Sequence, residues 1–187
     1  NRNKIRKNPT ENFFKWLTVP VYKEDQKKKI CDVRISDHDN EWRKYHINSL
    51  TFSYKKTKNF EKYSKLFFEI ISDKKNKKLI DINMKIIKLI CKILNIKKKF
   101  YFSSDLKLTE KGVKKLITIC KIYKCDNYLA NNKTVENYGV KEFSDNSINV
   151  LKQNFFEDRY IQEYDNKKLE WLGKLSILDF IFNCKEI

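Results

Sequence analysis

The first 36 residues contain two stretches with the patterns of β-strands. In the first, aromatic and β-branched residues follow one another, and in the second, apolar and polar residues alternate. These stretches are residues 13–21 (FFKWLTVPV) and 27–36 (KKKICDVRIS), and each predicts a β-strand. The lysine-rich segment 23–29, which joins them, predicts a long hairpin loop. Pro20 has no N–H to donate, so it indicates an edge strand or a strand end.

The apolar period then lengthens to that of a helix in three successive segments, 38–54, 58–71 and 81–96. Asp39 or Asn40 is the expected N-cap of the first. The predicted inward faces are Trp42, Tyr45, His46, Ser49, Leu50 and Tyr54 in the first helix, Phe60, Tyr63, Phe67 and Ile70 in the second, and Ile86, Leu89, Ile90 and Ile93 in the third.

The second half of the chain alternates between strand-like and helix-like segments. The predicted order is a strand at 98–106, a helix at 108–125 with Thr109 as its N-cap, a strand at 126–132, a short helix at 133–143, a strand at 148–156 and a last helix at 169–183. Strand–helix–strand order favours parallel pairing. The sequence therefore predicts one α/β domain over residues 1–187, with a mixed, partly parallel sheet and flanking helices.

Lysine dominates the charge of this protein. The formal net charge is +17, and only five of the 41 basic residues are arginines, at positions 2, 6, 34, 43 and 159. Proteins that recognise phosphates and bases rely on the planar fork of arginine, whereas lysine, asparagine and isoleucine increase together in AT-rich genomes. Codon bias on a solvated surface is therefore the favoured explanation, and an anionic partner such as nucleic acid is the alternative.

The five cysteines contain no C-x-x-C spacing, and their odd number argues against a disulfide framework. They predict reduced thiols in a cytoplasmic protein. No segment reaches the roughly 20 apolar residues of a membrane-spanning helix, so no membrane span is predicted.

The two histidines, His38 and His46, are the first candidates for chemistry. Together with Asp37 and Asp39 they have the side chains of a metal site. His46, however, shares its helical face with aromatic and apolar residues, which favours a buried structural imidazole. The sequence therefore predicts no metal site, and it assigns no cofactor.

Polar residues at the predicted carboxyl end of a strand are a second candidate. Ser103, Ser104 and Asp105 lie at the carboxyl end of the strand predicted at 98–106 and precede a helix. This is the edge where α/β sheets bind ligands and where a helix N-terminus favours anions. A polar loop that caps the helix is the alternative.

A third group lies near the end of the chain. Tyr160 and Gln162 precede the last predicted helix, on which Ser176, Asp179 and Asn183 share one face. These three polar groups either line a pocket or form the solvated side of a terminal helix.

Several of these blocks together resemble the WbqC-like proteins, which are encoded among bacterial genes for O-antigen and other surface polysaccharides. The matching blocks are NRN followed by WLTVPV, then Trp42, His46 and Tyr54, SSDL, YLANN, Y-I-Q and the closing LSILDFIFN. The resemblance implies that a segment with a His-Gln-Pro motif and an Asp-rich strand precedes the NRN block. The chain departs from the family pattern after YL, where it has Ala130, Asn131 and Asn132 in place of a Ser-Gly pair, and after the last Asn, where it has Cys184 and Lys185 in place of Gly.

The resemblance also implies a function and a binding site. It implies a transferase that attaches an aminoacyl or acyl group to a nucleotide-linked amino sugar, so the expected partner is a nucleotide-sugar or another phosphorylated small molecule. Asn1, Arg2 and Asn3 are expected to approach the pocket, with Arg2 as the phosphate or carboxylate contact. His46 or Asp179 is the expected base. The alternatives are a basic nucleic-acid-binding module and a non-catalytic partner of a biosynthetic complex.

Overall fold

The computed structural model describes residues 3–9, 11–36, 41–131 and 140–184. The chain divides into two compact units: unit 1 is Asn1–Lys98 with Glu157–Ile187, and unit 2 is Lys99–Phe156. The described strands form three two-stranded sheets, one parallel and two antiparallel. The α/β class and the mixture of parallel and antiparallel pairing are therefore confirmed, with the pairing spread over several small sheets. The single-domain organisation stays a prediction.

The elements of unit 1 are β1 (Lys4–Asn8), β2 (Glu11–Trp16), α1 (Glu41–Tyr54), α2 (Phe60–Ser72), α3 (Leu79–Ile93), β5 (Glu163–Tyr164), β6 (Lys167–Lys168) and α6 (Ile177–Asn183). Those of unit 2 are α4 (Gly112–Ile122), β3 (Asn127–Ala130), α5 (Lys141–Ser144) and β4 (Asn149–Lys152).

The three predicted helices of the first half are confirmed as α1, α2 and α3, but the inward position predicted for Tyr45 is wrong, because Tyr45 is 52% exposed. Their apolar stripes meet in one core with β1 and α6, because each helix buries a face of regularly spaced aromatic and aliphatic residues. The core of unit 1 comprises Ile5, Leu17, Leu50, Tyr54, Phe60, Tyr63, Phe67, Ile71, Ile181 and Phe182. Asp39 and Asn40, the expected N-cap residues of α1, lie outside the described residues.

A buried arginine joins α1 to the end of α2. The Arg43 guanidinium donates to the carbonyl oxygens of Ile71 at 2.6 Å, Asp73 at 3.2 Å and Asn76 at 3.4 Å. The last carbonyls of a helix have no partner within the helix and carry partial negative charge. Arg43 therefore satisfies these acceptors with a cation at the favourable end of α2.

The predicted strands of the first 36 residues are only partly correct. Strand β2 ends at Trp16, and it pairs with β1, which the sequence pattern did not predict. The strand predicted at 27–36 is wrong, because Ile30–Asp32 is a 3-10 turn and the pairing is limited to isolated bridges, such as Val21 with Ile35.

A buried carboxylate explains why the segment 23–34 folds on itself. Asp25 has no exposed surface and accepts hydrogen bonds from Arg34 N, at 2.9 Å, and from Arg34 Nε, at 2.7 Å. Lys28 lies 2.6 Å from the same carboxylate. Gathering these donors around one point requires a compact loop instead of an extended strand.

Unit 2 confirms the predicted βαβ order in part. Strands β3 and β4 pair in parallel, and α5 lies between them in sequence. The unit 2 core consists of Val113, Ile117, Cys120, Phe143 and Ile148. The helix predicted at 133–143 is described only for its end, as α5, because residues 132–139 lie outside the described part of the chain.

Two predictions in unit 2 are wrong. Residues 98–106 form no strand: Tyr101 packs on Tyr123, with ring centroids 4.4 Å apart, and a turn begins at Ser103. Thr109 is not the N-cap, because α4 begins at Gly112. Gly112 has a φ of 57°, a left-handed conformation that glycine adopts without steric cost, and this keeps the helix from starting earlier.

Candidate functional site

The carboxylate of Asp179 is the centre of a buried polar cluster in unit 1. It lies in the first turn of α6. The predicted helix 169–183 is wrong for residues 169–176, because α6 begins after Ser176, whose Oγ accepts from Leu178 N at 3.4 Å. Ser176 N donates to Lys4 O at 2.6 Å, and this bond holds the start of α6 against β1. Asp179 has no exposed surface, so its hydrogen bonds must all come from the protein.

Four side chains donate to this carboxylate. The Asp179 Oδ1 atom accepts from Tyr160 OH at 2.7 Å, Gln162 Nε2 at 2.9 Å and Asn183 Nδ2 at 3.3 Å, and the Oδ2 atom accepts from Tyr54 OH at 2.9 Å. Asn183 is fixed in turn, because its Oδ1 accepts from Glu163 N at 2.9 Å. Of the predicted group, Tyr160, Gln162 and Asn183 therefore surround the carboxylate of Asp179, whereas the Ser176 hydroxyl caps the start of α6.

Gln162 connects this carboxylate to a buried cation. Its Oε1 atom accepts from Arg6 Nη2 at 2.7 Å and from Leu172 N at 2.9 Å, while its Nε2 atom donates to Leu172 O at 3.0 Å as well as to Asp179. All four hydrogen bonds that a side-chain amide can make are thus present. The Gln162 amide thus bridges the Arg6 guanidinium and the Asp179 carboxylate, which form no direct ion pair with each other.

Arg6 is only 2% exposed, although it carries a full positive charge. Its guanidinium also donates to Glu170 O at 2.8 Å and to Glu11 O at 3.2 Å, and its backbone N donates to Tyr54 OH at 3.0 Å. The Arg6 Nε atom is buried and has no hydrogen-bond partner among the described residues. We call the set Arg6, Tyr54, Tyr160, Gln162 and Asp179 the polar hub.

The hub controls the protonation of its members. Burial raises the pKa of Asp179, while hydrogen bonds from Tyr160 and Tyr54 and the charge of Arg6 oppose that rise. Burial and the nearby carboxylate also raise the pKa values of Tyr54 and Tyr160. Both phenols are therefore neutral donors at pH 7 and not nucleophiles. With four donors on its oxygens, Asp179 is arranged to position its neighbours; its predicted role as a base stays a prediction.

The hairpin that carries Arg6 also presents exposed aromatic rings. Arg6 is paired with Phe14, and Lys4 with Trp16, so these four side chains share one face of the hairpin. Phe14 is 43% exposed and Trp16 is 50% exposed, and their rings pack edge to face with centroids 5.9 Å apart. The Lys4 Nζ atom lies 3.6 Å from the Phe14 ring centroid. Buried cation and exposed rings thus belong to one rigid element.

His46, the other predicted base, is buried on α1. Its ring packs edge to face on Trp42, with centroids 5.1 Å apart. Burial lowers its pKa to about 4, while a hydrogen bond with the Thr18 backbone acts in the opposite direction. His46 is therefore a neutral imidazole at pH 7, as the interpretation of a buried structural histidine predicted, and it has no direct hydrogen bond to the hub within the part of the chain that the structure describes.

The remaining predicted site residues lie elsewhere. Asn3 is tied to the end of β2, since its Nδ2 donates to Leu17 O at 2.9 Å. Ser104 and Asp105 lie in an exposed turn of unit 2, where their side-chain oxygens are 3.4 Å apart. Asn1 and Arg2, including the expected phosphate contact, are outside the described residues.

Two members of the hub were missed from sequence, for different reasons. Tyr54 was placed on the inward face of α1, but an apolar stripe does not show that a phenol hydroxyl will meet a carboxylate. Arg6 stood in a short polar stretch that predicted no element. One signal was present, namely the use of arginine in a chain so rich in lysine. A guanidinium reaches several acceptors at fixed angles, which suits a buried cation, and both Arg6 and Arg43 are buried.

In the described residues no cluster of three His, Cys, Asp or Glu side chains could hold a metal ion. Asp37, His38 and Asp39, which the sequence grouped with His46, lie outside them. Of the helices that the structure describes, none has the length and apolar character to span a membrane.

Comparison with known proteins places the chain in a family. Searches of curated proteins and of solved structures returned no significant match. The model of the WbqC-like protein family matches residues 1–186, which is essentially the whole chain and includes every residue of the polar hub. The chain therefore belongs to the WbqC-like protein family.

Proposed function

We propose that this protein is a transferase of bacterial O-antigen or surface-polysaccharide biosynthesis that attaches an aminoacyl or acyl group to a nucleotide-linked amino sugar. Family membership supports the polysaccharide context. The observation that carries the site is the hairpin β1–β2, where a buried arginine lies beside exposed aromatic rings and a lysine.

The chemistry of the hairpin suits a phosphorylated sugar. A flat aromatic ring can cover the apolar face of a sugar ring, and a lysine or arginine pairs with phosphate oxygens. Phe14 and Trp16 supply the rings and Lys4 supplies the cation. Asn1, Arg2 and Asn3 lie at the start of the same hairpin in sequence, so they belong to this proposed site.

The polar hub makes that surface rigid. Holding a binding group within a fraction of an ångström requires a supporting shell whose own rotamers are fixed by hydrogen bonds. Tyr160 and Gln162 position Asp179 and Arg6, while Ser176 and Asn183 fix α6 against β1 and β5. In this proposal the hub is a positioning device for the hairpin.

The transfer itself forms an N–C bond between the sugar amine and the acyl carbon. The bond from that carbon to the leaving oxygen or sulfur of an activated donor breaks, and a base must take the amine proton. Of the two expected bases, neutral His46 has a free electron pair for this purpose at pH 7, whereas Asp179, which is buried and accepts from four donors, acts in this proposal by positioning the hub. No cofactor is assigned. A cytoplasmic location belongs to the proposal and agrees with the absence of disulfides among the five cysteines, all of which are described.

The test is deletion of the gene in its bacterial host, followed by mass spectrometry of the surface polysaccharide. We expect the repeat unit to lose one acyl or aminoacyl substituent and to regain it on complementation with the wild-type gene. An unchanged polysaccharide would overturn the proposed function.

The site is tested separately by complementation with Trp16→Ala and with Phe52→Ala. Phe52 is a matched control, since it is similarly exposed but lies on α1. We expect the Phe52 variant to complement and the Trp16 variant to fail while both proteins accumulate equally. Full complementation by Trp16→Ala would remove the hairpin surface from the site and leave the function standing.

A further inference from the structure

Unit 2 contains a cavity lined by residues between Lys99 and Cys125. Its volume is about 420 Å³, which lies in the range of small-molecule sites. The described lining residues are Lys99, Phe100, Tyr101, Ser103, Leu106, Ile119, Tyr123 and Cys125. The wall is mostly aromatic and aliphatic, with a few polar groups.

The aromatic part of the wall includes an exposed ring that packs on a second ring of the wall. Tyr101 is 60% exposed, and its ring packs on Tyr123, with centroids 4.4 Å apart. Phe100 is also exposed. Flat heterocycles stack on solvated aromatic rings such as that of Tyr101.

The end of helix α4 holds the second ring in place. Tyr123 is the C-cap residue of α4, and the chain reverses at Lys124, which has a φ of 51°. Cys125 N then donates to Cys120 O at 2.8 Å, and the Cys125 thiol donates to Tyr123 O at 3.6 Å. Two wall residues are therefore fixed by a hydrogen-bonded helix terminus.

The polar part of the wall has the chemistry for a phosphate. Lys99 is the one charged residue among the described lining residues, and Ser103 adds a hydroxyl donor. A lysine ammonium acts as a point charge for phosphate oxygens. The aromatic residues and this cation line one cavity. A ligand that has both an aromatic ring and a phosphate can therefore contact both parts of the wall.

We propose that this cavity binds a nucleoside phosphate, with the base stacked on Tyr101 and the phosphate held by Lys99. The inference rests on the cavity alone and does not require the transferase proposal. The sequence predicted a ligand site at Ser103, Ser104 and Asp105; of these three residues, Ser103 lines the cavity.

Cys125 provides a built-in probe, since it is exposed at the cavity. Alkylation of the native full chain by iodoacetamide, read by peptide mass spectrometry, reports the accessibility of each cysteine. Probes are uridine diphosphate, adenosine diphosphate, uridine and inorganic pyrophosphate. Because a bound ligand reduces the accessible fraction to 1/(1 + [L]/Kd), a nucleotide at about ten times its Kd should slow Cys125 alkylation about tenfold. Cys31, a partly exposed thiol of unit 1, is the internal control and should not change.

Variants separate the two contacts. Tyr101→Ala should abolish the protection of Cys125 by the nucleotides. Lys99→Gln should weaken this protection, and the loss should be at least as large as the loss that added salt causes in the wild-type protein. Tyr45→Ala, which removes a similarly solvated tyrosine of α1, should leave protection unchanged. Unaltered alkylation of Cys31 and of buried Cys120 would show that the variants are folded.

Three results would overturn the proposal. Protection by pyrophosphate as strong as by the nucleotides would show a simple charge effect. Protection by a single-stranded oligonucleotide at far lower concentration than by the nucleotides would assign the cavity to a nucleic acid. No protection by any nucleotide in millimolar amounts, with Cys125 reactive and the protein folded, would mean that the cavity binds no nucleoside phosphate.

Discussion

Replacing Gln162 with a glutamate is the sharpest test of the polar hub, because the two side chains have the same shape. The substitution would place an oxygen where Gln162 Nε2 now donates to Asp179 Oδ1 at 2.9 Å and to Leu172 O at 3.0 Å. Two attractive contacts between a donor and an acceptor would become contacts between acceptors. The contact with Arg6 through Oε1 would remain and would become an ion pair.

The cost follows from the contacts that are lost. A hydrogen bond to a charged group contributes about 1.5–3 kcal/mol and a neutral one about 0.5–1.5 kcal/mol, and two buried carboxylates in contact repel each other. The gain at Arg6 offsets part of this, so we expect Gln162→Glu to lower the free energy of unfolding by about 3 kcal/mol at pH 7. This is a large part of the roughly 5–15 kcal/mol that stabilises a typical domain.

The assay is urea denaturation followed by circular dichroism between pH 5 and pH 8. Acid should reduce the destabilisation, because the introduced carboxylate and that of Asp179 can then share one proton, which restores a single donor between them. Gln153→Glu is the matched control: the same chemical change at an exposed position should have little effect. A loss below about 1 kcal/mol at pH 7, or a loss that grows as the pH falls, would refute the hydrogen-bond assignment of the hub.

Three further predictions concern single residues. Arg6→Lys should destabilise by about 2–4 kcal/mol in the same assay, since an ammonium cannot reach Gln162, Glu170 and Glu11 together, whereas Arg159→Lys at an exposed position should change little; equal effects would show that Arg6 acts as a charge only. Tyr160→Phe removes the 2.7 Å hydrogen bond to Asp179 but keeps the packing of the ring, so a loss of about 1–3 kcal/mol is expected, and no loss would contradict a buried carboxylate that needs this donor. His46 has a folded pKa of about 4, below its ordinary 6.5, so the folded state binds fewer protons than the unfolded state between these values. Its contribution to stability is complete above pH 6.5 and is lost as the pH falls towards 4, with a slope of about 1.4 kcal/mol per pH unit that His46→Gln should remove from the urea midpoint profile.

The helices could be predicted because their signal is local. In α2, residues Phe60, Tyr63 and Phe67 recur at helical spacing and bury one face, and a helix satisfies its backbone within its own segment. The strands could not be predicted as well, because an extended segment needs a partner that its own pattern does not name. Residues 27–36 alternate like a strand, yet the buried carboxylate of Asp25 draws them into turns. Strand β1 was missed because Ile5 stands alone among polar residues.

The candidate site shows the same division. Sequence placed Ser176, Asp179 and Asn183 on one face, since positions three and four apart on a helix are neighbours. It left open whether that face meets solvent or a pocket, and it did not connect the face to Arg6, which is distant in sequence.

By its pattern alone, the sequence determined the α/β class, the first three helices and the parallel pair of strands in unit 2, and its motif blocks carried the resemblance to the WbqC-like family. The tertiary structure decided that Asp179 is a saturated, buried acceptor, that Gln162 carries its interaction with Arg6, and that an aromatic cavity lies beside the predicted polar turn of unit 2. The physical reason is range: helical periodicity and capping act between near neighbours, whereas burial of a charge depends on which distant donors the completed fold brings to it.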